Sequence, residues 1–434
     1  MPFKNKYDVI VAGAGIAGIC AAIKSQKLGA ETLLIERYSF LGGMSSAGMV
    51  TPLMKYWFKD KILVKGVFED LQNEMRKFDG MIDNGFYALE FRKAAYKLLK
   101  NANVDILFNS EIIKTNFNNR KLESVTINSH NQKKIIQGNV FIDTSGDASL
   151  IYLSGLPFQK GDEMTGNLQT MTLFFRMGGI DIDRVKENAW KNKEDYFAWI
   201  FDTADYQKII SIAGFFNAVK KELEKGELQK ELSYIFFTTL PEKGEGAFNT
   251  TNIMGLDASS SSDLTKAEII GREQVNQVIN FLVNKIEGFE NSYLLESAVQ
   301  IGVRETRRVI GDYTINGEDV KTGRKFNDAI ARACYGIDIH GQENEDSRME
   351  ELPENQYYEI PMKALFVKDA DNILSAGRCV SSTREGHSAV RIQPTCAAMG
   401  EAAGAIAALA IKNNLTIRNV DYKEVRKELL ENLE

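Results

Sequence analysis

The sequence predicts an α/β protein in which a parallel sheet carries an inserted β-meander and is joined to a second, mixed α+β domain. Three observations predict this fold class. A short apolar run at residues 7–12 passes directly into a glycine-rich turn and a helix-like segment. Short strand-like runs separated by asparagine-rich turns follow at residues 104–137. Near the end, an apolar run, a glycine and a long alanine-rich helix at residues 372–411 return to the first pattern.

The glycine-rich turn has the spacing GxGxxG, formed by Gly13, Gly15 and Gly18. The turn needs Gly13 for its backbone angles, Gly15 so that a pyrophosphate can approach the main chain, and Gly18 so that helix and strand pack closely. The N-terminus of the helix then faces the phosphate. A second strand-like run ends at Glu36, where a carboxylate can accept hydrogen bonds from ribose hydroxyls. This order of elements predicts a Rossmann-like dinucleotide-binding unit and leaves NAD and FAD as alternatives.

A second glycine turn favours FAD. Arg37 follows the predicted ribose-binding acid, and the doublet Gly42 and Gly43 then leads into Met44 and Ser45. Nicotinamide-binding Rossmann units do not need a second glycine turn here. FAD-binding folds use one to bring backbone amides and hydroxyls to the pyrophosphate and flavin. Taken alone, the segment could also be a flexible loop rich in glycine and serine.

Length and charge set further limits. A chain of 434 residues is too long for one simple core, so we expect two domains. Lysine and arginine number 53 against 59 aspartate and glutamate, a formal charge of −6, and no block of like charge or basic stripe occurs. Nucleic acid is therefore not expected as a partner.

Targeting and metal-binding signals are not recognised. The first apolar run is already the Rossmann strand, so no signal peptide is predicted. The most apolar stretch, residues 397–411, is interrupted by glycine and glutamate, so we expect no membrane span and a cytoplasmic protein. The four cysteines are scattered without a CxxC pair, so neither a metal site nor a dithiol motif is expected.

The pattern along the chain predicts a discontinuous first domain. Its second part begins with the apolar run at residue 372, so residues 1–157 and 370–434 form the dinucleotide-binding domain and residues 158–369 the substrate or cap domain. Two strands are predicted at residues 134–137 and 140–143, the latter ending at Asp143 and followed by small residues and glycine. Folds of this kind bind ligands at such carboxyl ends of strands.

Six segments together resemble the FAD-dependent oxidoreductases that have a glutathione-reductase-like FAD domain. They are GAGIAGICAA, LGGMSSAG, FIDTSGDASLIYLSG, VRETRRVIGDYTI, YEIPMKAL and NILSAGRCVSSTREGHSAVRIQPTCAAMGEAAG. The resemblance implies a Rossmann-like FAD-binding domain and a second, mixed α+β domain that covers the flavin. It also implies that the last long helix points its N-terminus at the flavin pyrimidine ring, where a positive helix end stabilises the anionic reduced flavin.

The residues expected to contact FAD follow from these turns, strand ends and the implied helix position. They are Gly13, Gly15, Ile16, Ala17, Gly18, Glu36, Arg37, Gly42, Gly43, Met44, Ser45, Ile112, Thr144, Gly146, Asp147, Gly377, Arg378, Pro394, Thr395 and Cys396. The second glycine fingerprint and the cysteine pair of the disulfide reductases are absent from the sequence. Direct reduction by NAD(P)H is therefore not supported.

Two of the three histidines are candidate acid/base groups. His130 falls in a polar turn of the meander and is expected on the surface. His387 is predicted in a loop at the edge of the active site, just before the flavin-facing helix, and a structural hydrogen bond is the alternative role. His340, in the segment YGIDIHG, is the second candidate.

Arginines are candidates for orienting the substrate. Arg304, Arg307 and Arg308 form a cluster in which one side chain, with Arg304 as the candidate, is expected to reach the cleft and the others to form ion pairs. Arg391 follows soon after His387. A salt-bridged domain interface is the alternative for the cluster.

Cys396 has two opposed interpretations. At a helix N-terminus its thiolate would be favoured, which would permit attachment to the flavin or gating of electron flow. The alternative is a buried small residue at a crowded cofactor.

The sequence thus predicts an FAD-dependent oxidoreductase that transfers hydride between a small polar organic substrate and flavin N5. The electron donor or acceptor is not identified, and a homo-oligomer is left open. A reductase of activated double bonds resembling fumarate reductase flavoproteins is one alternative. A flavin-bearing electron-transfer or binding subunit is another, although iron–sulfur cysteine spacing is absent.

Overall fold

A seven-stranded sheet forms the centre of the protein in the computed structural model, which describes residues 3–203, 210–342, 345, 347–353 and 355–429. The strands in chain order are β1 (Lys6–Ala12), β2 (Thr32–Ile35), β3 (Trp57–Phe58), β4 (Lys61–Ile62), β5 (Met81–Ile82), β6 (Gly85–Phe86), β7 (Asp105–Leu107), β8 (Glu111–Asn118), β9 (Lys121–Ser129), β10 (Gln132–Asp143), β11 (Phe158–Lys160), β12 (Phe175–Gly178), β13 (Ser211–Gly214), β14 (Ile235–Thr239), β15 (Gly246–Phe248), β16 (Tyr293–Ser297), β17 (Arg307–Val309), β18 (Ala329–Ala333), β19 (Ile337–Ile339), β20 (Arg348–Glu350), β21 (Tyr358–Pro361) and β22 (Ile373–Ser375).

Helices cover this sheet and accompany a second one. In chain order they are α1 (Ile16–Lys27), α2 (Val67–Arg76), α3 (Ala88–Asn101), α4 (Ser149–Leu153), α5 (Ile182–Lys191), α6 (Ile200–Thr203), α7 (Phe216–Glu224), α8 (Ser261–Lys285), α9 (Gly317–Lys321), α10 (Arg384–Val390), α11 (Gln393–Asn413) and α12 (Tyr422–Glu428).

The central sheet combines parallel strands with the predicted meander. Strands β7, β2, β1, β10 and β22 are parallel, and β9 and β8 continue the sheet antiparallel to β10. All four residues of β2 are buried, as expected of a strand inside a parallel sheet covered on both faces. The structure confirms the α/β fold class with its inserted β-meander.

Strand β10 differs from the prediction, because residues 134–137 and 140–143 belong to one continuous strand. The first half of β10 pairs antiparallel with β9, whereas Phe141, Ile142 and Asp143 pair parallel with β22. Gly138 joins the halves, and a Cβ there would lie 2.8 Å from the Phe141 ring. The glycine interrupts the apolar pattern but not the pairing with β1, which continues from Gln137 to Asp143.

The second sheet is antiparallel, in the order β13-β14-β15-β12-β16. Its core includes the stacked rings of Phe175, Phe248 and Phe237, with centroids 4.8 and 4.9 Å apart in successive pairs. Helix α8 begins after Ser260, whose side chain accepts a hydrogen bond from the backbone N–H of Asp263. The serine run at residues 259–262 thus supplies the N-cap of this helix.

Packing places the end of the second domain earlier than the sequence pattern does. The apolar core of the antiparallel sheet includes residues from Met171 to Val303. Ile330 and Ile360 instead share a core with Val9 and the rest of the first domain. We therefore propose that the second domain ends near residue 303 rather than at 369, because later segments fold back onto the parallel sheet.

Helices α1 and α11 touch backbone to backbone. A Cβ at Gly400 would lie 2.1 Å from the carbonyl oxygen of Ala17, and one at Gly404 would lie 2.3 Å from that of Ala21. By length and composition α11 could cross a membrane, but 94% of its most apolar window is buried inside the protein. Its apolar character is therefore explained by its position as a core helix.

We expect Gly404→Ala to lower the thermal unfolding midpoint of the holoprotein, because the added methyl group would force α1 and α11 apart. Overpacking of this kind typically costs about 1–3 kcal/mol. Lys412→Ala, at an exposed position of the same helix, serves as the control and should change the midpoint little. An unchanged midpoint in Gly404→Ala would show that the two helices adjust without cost.

Candidate active site

A long cleft runs along the carboxyl ends of the parallel strands. Residues that follow β1, β2, β10 and β22 line it, including Gly13, Glu36, Thr144 and Gly377. Adjacent strands bring these loops together, which is why folds of this type bind ligands at this edge. The cleft continues to the second sheet, where Asn249 lines its far end.

The first glycine turn has the geometry that a pyrophosphate requires. Gly13 has φ +101°, and a Cβ on Gly18 would lie 1.9 Å from the Gly13 carbonyl oxygen, so strand and helix meet closely. Gly15 is the N-cap of α1, and a Cβ built on it would have no atom within 4 Å. The missing side chain therefore leaves open space in front of the helix N-terminus, which fits an anionic phosphate.

The second glycine turn lies directly against the first. Gly42 pairs with Gly15 as an isolated bridge, and its N–H donates to the Ala14 carbonyl at 2.8 Å. Ser45 Oγ donates to Gln393 Oε1 at 2.6 Å, at the first residue of α11. The two turns and the N-terminus of α11 thus form one continuous wall of the cleft.

Glu36 secures the first turn as well as lining the cleft. Its Oε2 accepts from the Ala14 N–H at 2.7 Å, and its Oε1 accepts from the Tyr38 N–H at 3.0 Å. Burial raises the pKa of Glu36, and these backbone hydrogen bonds oppose the rise. The carboxylate has lone pairs left for ribose hydroxyls.

Asp147 and Arg378 join two strand ends across the cleft. Arg378 Nη2 donates to Asp147 Oδ1 at 2.6 Å, and Thr306 Oγ1 donates to the same oxygen at 2.9 Å. Burial alone would raise the pKa of Asp147, but the charge and hydrogen bond of Arg378 outweigh it and lower that pKa. Asp147 is therefore a fixed anion at this point of the cleft.

Most of the predicted cofactor residues line this cleft. They are Gly13, Gly15, Ile16, Ala17, Glu36, Arg37, Gly42, Gly43, Met44, Ser45, Ile112, Thr144, Gly146, Asp147, Gly377, Arg378 and Cys396. Gly18, Pro394 and Thr395 do not. Gly18 packs beneath the turn, and Pro394 and Thr395 are buried in the first turn of α11.

Four side chains cluster near the far end of the cleft. Asp338 Oδ1 lies 3.3 Å from His340 Nε2, and Asp338 Oδ2 accepts from Tyr335 Oη at 3.0 Å and lies 3.3 Å from Arg391 Nη2. Asp338 lies on β19 and His340 directly follows that strand, so spacing of two residues puts both side chains on one face. Ser388 on α10 accepts from the Asp338 N–H at 3.2 Å and fixes this strand.

Burial and neighbouring charges set the protonation of this cluster. Burial and the charge of Arg304 lower the pKa of His340, and Asp338 opposes this. Burial alone would raise the pKa of Asp338, but His340, Arg391 and Arg304 hold it well below its usual range. At neutral pH the cluster therefore contains a neutral imidazole and an ionised carboxylate.

Arg304 is the member of the arginine cluster that lines the cleft. Arg308 is fully buried and forms an ion pair with Glu305, and Arg307 packs over the ring of Tyr152 at 4.1 Å. The positions of Arg304 and Arg308 fit the expectation of one cleft residue and ion-paired neighbours, but Arg307 differs, because it donates to the Asp147 carbonyl oxygen and forms no ion pair among the described residues.

His387 does not line the cleft, which corrects its prediction as an acid/base group. The segment is not a loop but helix α10, capped by Thr383. The imidazole is fully buried, and its Nε2 lies 3.0 Å from the Arg378 carbonyl oxygen. Burial lowers the pKa of His387 well below its usual value. The structure therefore supports the alternative, a structural hydrogen bond.

The interpretation that a thiolate is favoured at Cys396 is also wrong. Burial raises the pKa of the Cys396 thiol to about 12, and its Sγ donates to the Arg391 carbonyl at 3.2 Å. Cys396 lies one turn inside α11, where satisfied backbone groups no longer offer free N–H donors to a thiolate. The protonated thiol lines the cleft as a small buried side chain.

Sequence reasoning missed several lining residues. Asp338 was one of them, although its spacing of two residues from His340 in YGIDIHG was a local signal that both face one side of a strand. No local signal marked Asn249 and Gln300, which reach the cleft from distant parts of the second domain.

We expect Gly15→Leu to abolish FAD retention without unfolding the protein. The backbone of Gly15 has φ −68° and ψ 178°, which leucine adopts without strain, and its side chain would occupy the open space before α1. Visible absorbance of bound flavin per protein measures retention, and circular dichroism checks the fold. Gly15→Ala is the smaller control and should retain more FAD. Full FAD content in Gly15→Leu would contradict the position of the pyrophosphate.

Solved structures of known proteins resemble the fold of this chain. A geranylgeranyl bacteriochlorophyll reductase-like protein from Thermoplasma acidophilum is 14% identical, with 98% of this chain and 82% of that chain covered and a TM-score of 0.50. A p-nitrophenol 4-monooxygenase from Pseudomonas putida is 10% identical, covering 98% and 84% at a TM-score of 0.47. L-proline dehydrogenase from P. horikoshii is 12% identical, covering 98% and 99% at a TM-score of 0.45. At these identities the likeness shows the fold alone.

The sequence itself matches a family over nearly its full length. Residues 8–429 match the family described as FAD dependent oxidoreductase. The matched region contains both glycine turns, the strand ends and the buried cluster around Asp338. The chain therefore belongs to the FAD-dependent oxidoreductases and uses FAD as its cofactor.

Proposed function

We propose that this enzyme transfers hydride between a small polar organic substrate and flavin N5, and that His340 accepts or returns the accompanying proton. The observation that carries the proposal is the pair formed by Asp338 and His340 at the far end of the cofactor cleft. A carboxylate that orients a neutral imidazole is a common arrangement for general acid–base catalysis.

The hydrogen bond to Asp338 selects the tautomer of His340. Asp338 is ionised and accepts only, so His340 Nε2 carries the proton and Nδ1 is left as an acceptor. The lowered pKa of His340 keeps the ring neutral at neutral pH. The residue is thus ready to take a proton from a substrate hydroxyl or amine.

The residues present fit FAD along the rest of the cleft. The glycine turns would hold its pyrophosphate, Glu36 a ribose, and the wall from Ser45 to Gln393 would lie beside the flavin. Bound FAD would supply a two-electron acceptor for the hydride that leaves the substrate C–H bond. The proton of the substrate O–H or N–H would pass to His340 Nδ1, so the substrate would lose two electrons and two protons in all.

The second domain covers the reaction site. Thr172 and Phe174 precede β12, Asn249 follows β15, and all three line the cleft. These residues would limit the access of water to the reacting carbon, which protects a hydride in transit.

Reduction of an activated double bond is the second candidate function. Burial and the nearby charge of Arg391 lower the pKa of Arg304 to about 10. An arginine with a lowered pKa is a better proton donor than an ordinary one. Anaerobic reoxidation of the reduced enzyme by unsaturated acids would favour this direction.

An electron-transfer subunit without substrate chemistry is less well supported. A cleft whose far end combines an acid/base pair with Arg304 and Arg391 is equipped for a substrate. We also propose a cytoplasmic location. The electron donor or acceptor is not identified, and a homo-oligomer is left open.

We expect His340→Ala to slow flavin reduction about 10²- to 10⁴-fold, because this is the usual loss for a general base. Sugars, amino acids and hydroxy acids are first tested as reductants, and anaerobic stopped-flow absorbance then measures the rate with the active compound. FAD content should not change. His130→Asn, in the exposed turn of the meander, is the matched control. Equal rates in His340→Ala and the parent enzyme would contradict the assignment.

The pH dependence should show which group takes the proton. Only neutral His340 accepts a proton, so the reduction rate should be constant above its pKa and fall below it. Burial and Arg304 lower that pKa, so the acid limb should lie below about 6.5, the usual histidine value. Asp338→Asn removes the charge that raises the pKa of His340, so its acid limb should move to lower pH. A limb that stays in place would contradict the coupling.

A further inference from the structure

Arg304 is a buried cation whose hydrogen bonds are all to neutral oxygens. The residue is 9% exposed and lines the cleft. Its Nη1 donates to the Thr170 carbonyl at 2.9 Å and contacts Thr170 Oγ1 at 3.4 Å, and its Nη2 contacts Asn249 Oδ1 at 3.5 Å. Among the described residues, no carboxylate oxygen forms an ion pair with Arg304.

The other buried arginines among the described residues have carboxylate partners. Arg308 pairs with Glu305 and Arg384 with Glu345, and the half-buried Arg378 pairs with Asp147. A buried charge without a counter-ion is costly, and proteins avoid it unless a ligand supplies the opposite charge. The exception at Arg304 lies where the cleft would hold substrate.

The charges around Arg304 do not balance. Asp338 Oδ2 lies 3.3 Å from Arg391 Nη2, and Asp338 Oδ1 lies 3.3 Å from His340 Nε2. The single negative charge of Asp338 is therefore already shared by these two side chains. His340 is neutral and Tyr335 keeps its proton, because burial raises the pKa of that phenol. Arg304 and Arg391 together with Asp338 therefore leave one positive charge at this end of the cleft.

We propose that Arg304 binds a carboxylate of the substrate, next to the carbon that exchanges hydride. The inference rests on the proposed function and specifies its substrate as a small carboxylic acid, such as a 2-hydroxy, 2-amino or unsaturated acid, rather than a neutral sugar. A guanidinium matches a carboxylate with two parallel hydrogen bonds. Arg391 also lines this end of the cleft and adds a second positive charge.

The binding geometry also orients the reaction. A carboxylate on Arg304 would direct the neighbouring carbon and its hydroxyl or amine toward His340, whose pKa already reflects the charge of Arg304. Thr170 and Asn249 hold the guanidinium in place, so the anion meets a preorganised partner.

Equilibrium binding measurements test the proposed carboxylate site without requiring catalytic turnover. Oxidised holoenzyme is titrated calorimetrically with acetate, pyruvate and benzoate, and with acetamide, pyruvamide and benzamide as neutral analogues of matched size. At least one carboxylate should bind saturably and about tenfold or more tightly than its amide. Arg304→Gln should remove that difference while FAD content stays at the parent level. Arg272→Gln, at an exposed ion pair on α8, is the matched control and should bind like the parent.

Three binding results would overturn the proposal. They are the absence of binding by all three carboxylates, equal binding of carboxylate and amide, and unchanged carboxylate binding in Arg304→Gln. Loss of FAD from Arg304→Gln would also overturn it, because the arginine would then hold the cofactor. Carboxylate binding should persist in His340→Ala, so failure of the acid/base assignment and failure of the anion site give different results.

Discussion

The contact between α1 and α11 is the constraint on which the site depends. The two helices meet backbone to backbone at Gly400 and Gly404. They therefore approach more closely than any residue larger than glycine would permit at these positions. Both helices direct their N-termini to the cleft, α1 at the first glycine turn and α11 beside Ser45 through Gln393. The first glycine turn and the wall at Ser45 and Gln393 are therefore held at a fixed distance by one rigid support.

Asp338 connects three other polar side chains that line the cleft. One carboxylate contacts His340, Tyr335 and Arg391, and the surrounding burial strengthens each of these interactions. Helix α10 places the Asp338 backbone through Ser388, while His387 of the same helix supports the loop at Arg378. A helix whose residues do not line the cleft thus positions two residues that do, Asp338 and Arg378.

Much of the fold could be predicted because its signals are local. The GxGxxG turn, the buried β2, the asparagine turns of the meander and the serine cap of α8 each depend on neighbours a few residues away. Predictions failed where a distant segment decided the outcome. Gly138 looked like a break, yet pairing with β1 carries β10 through it. Residues 315–366 lacked Rossmann signals, yet they pack onto the parallel sheet because their apolar faces complete its core.

The sequence by itself determined the family and the cofactor, because glycine turns and strand ends encode phosphate binding in their own backbone. Only the tertiary structure decided which ionisable groups share the cleft. His340 and His387 both lie in or next to family-like segments, and the sequence predicts Cys396 at a helix N-terminus. Their roles differ because protonation depends on burial and on charges from β19, α10 and the second domain. Those neighbours lie far apart in the chain, so no local pattern records which of them come together.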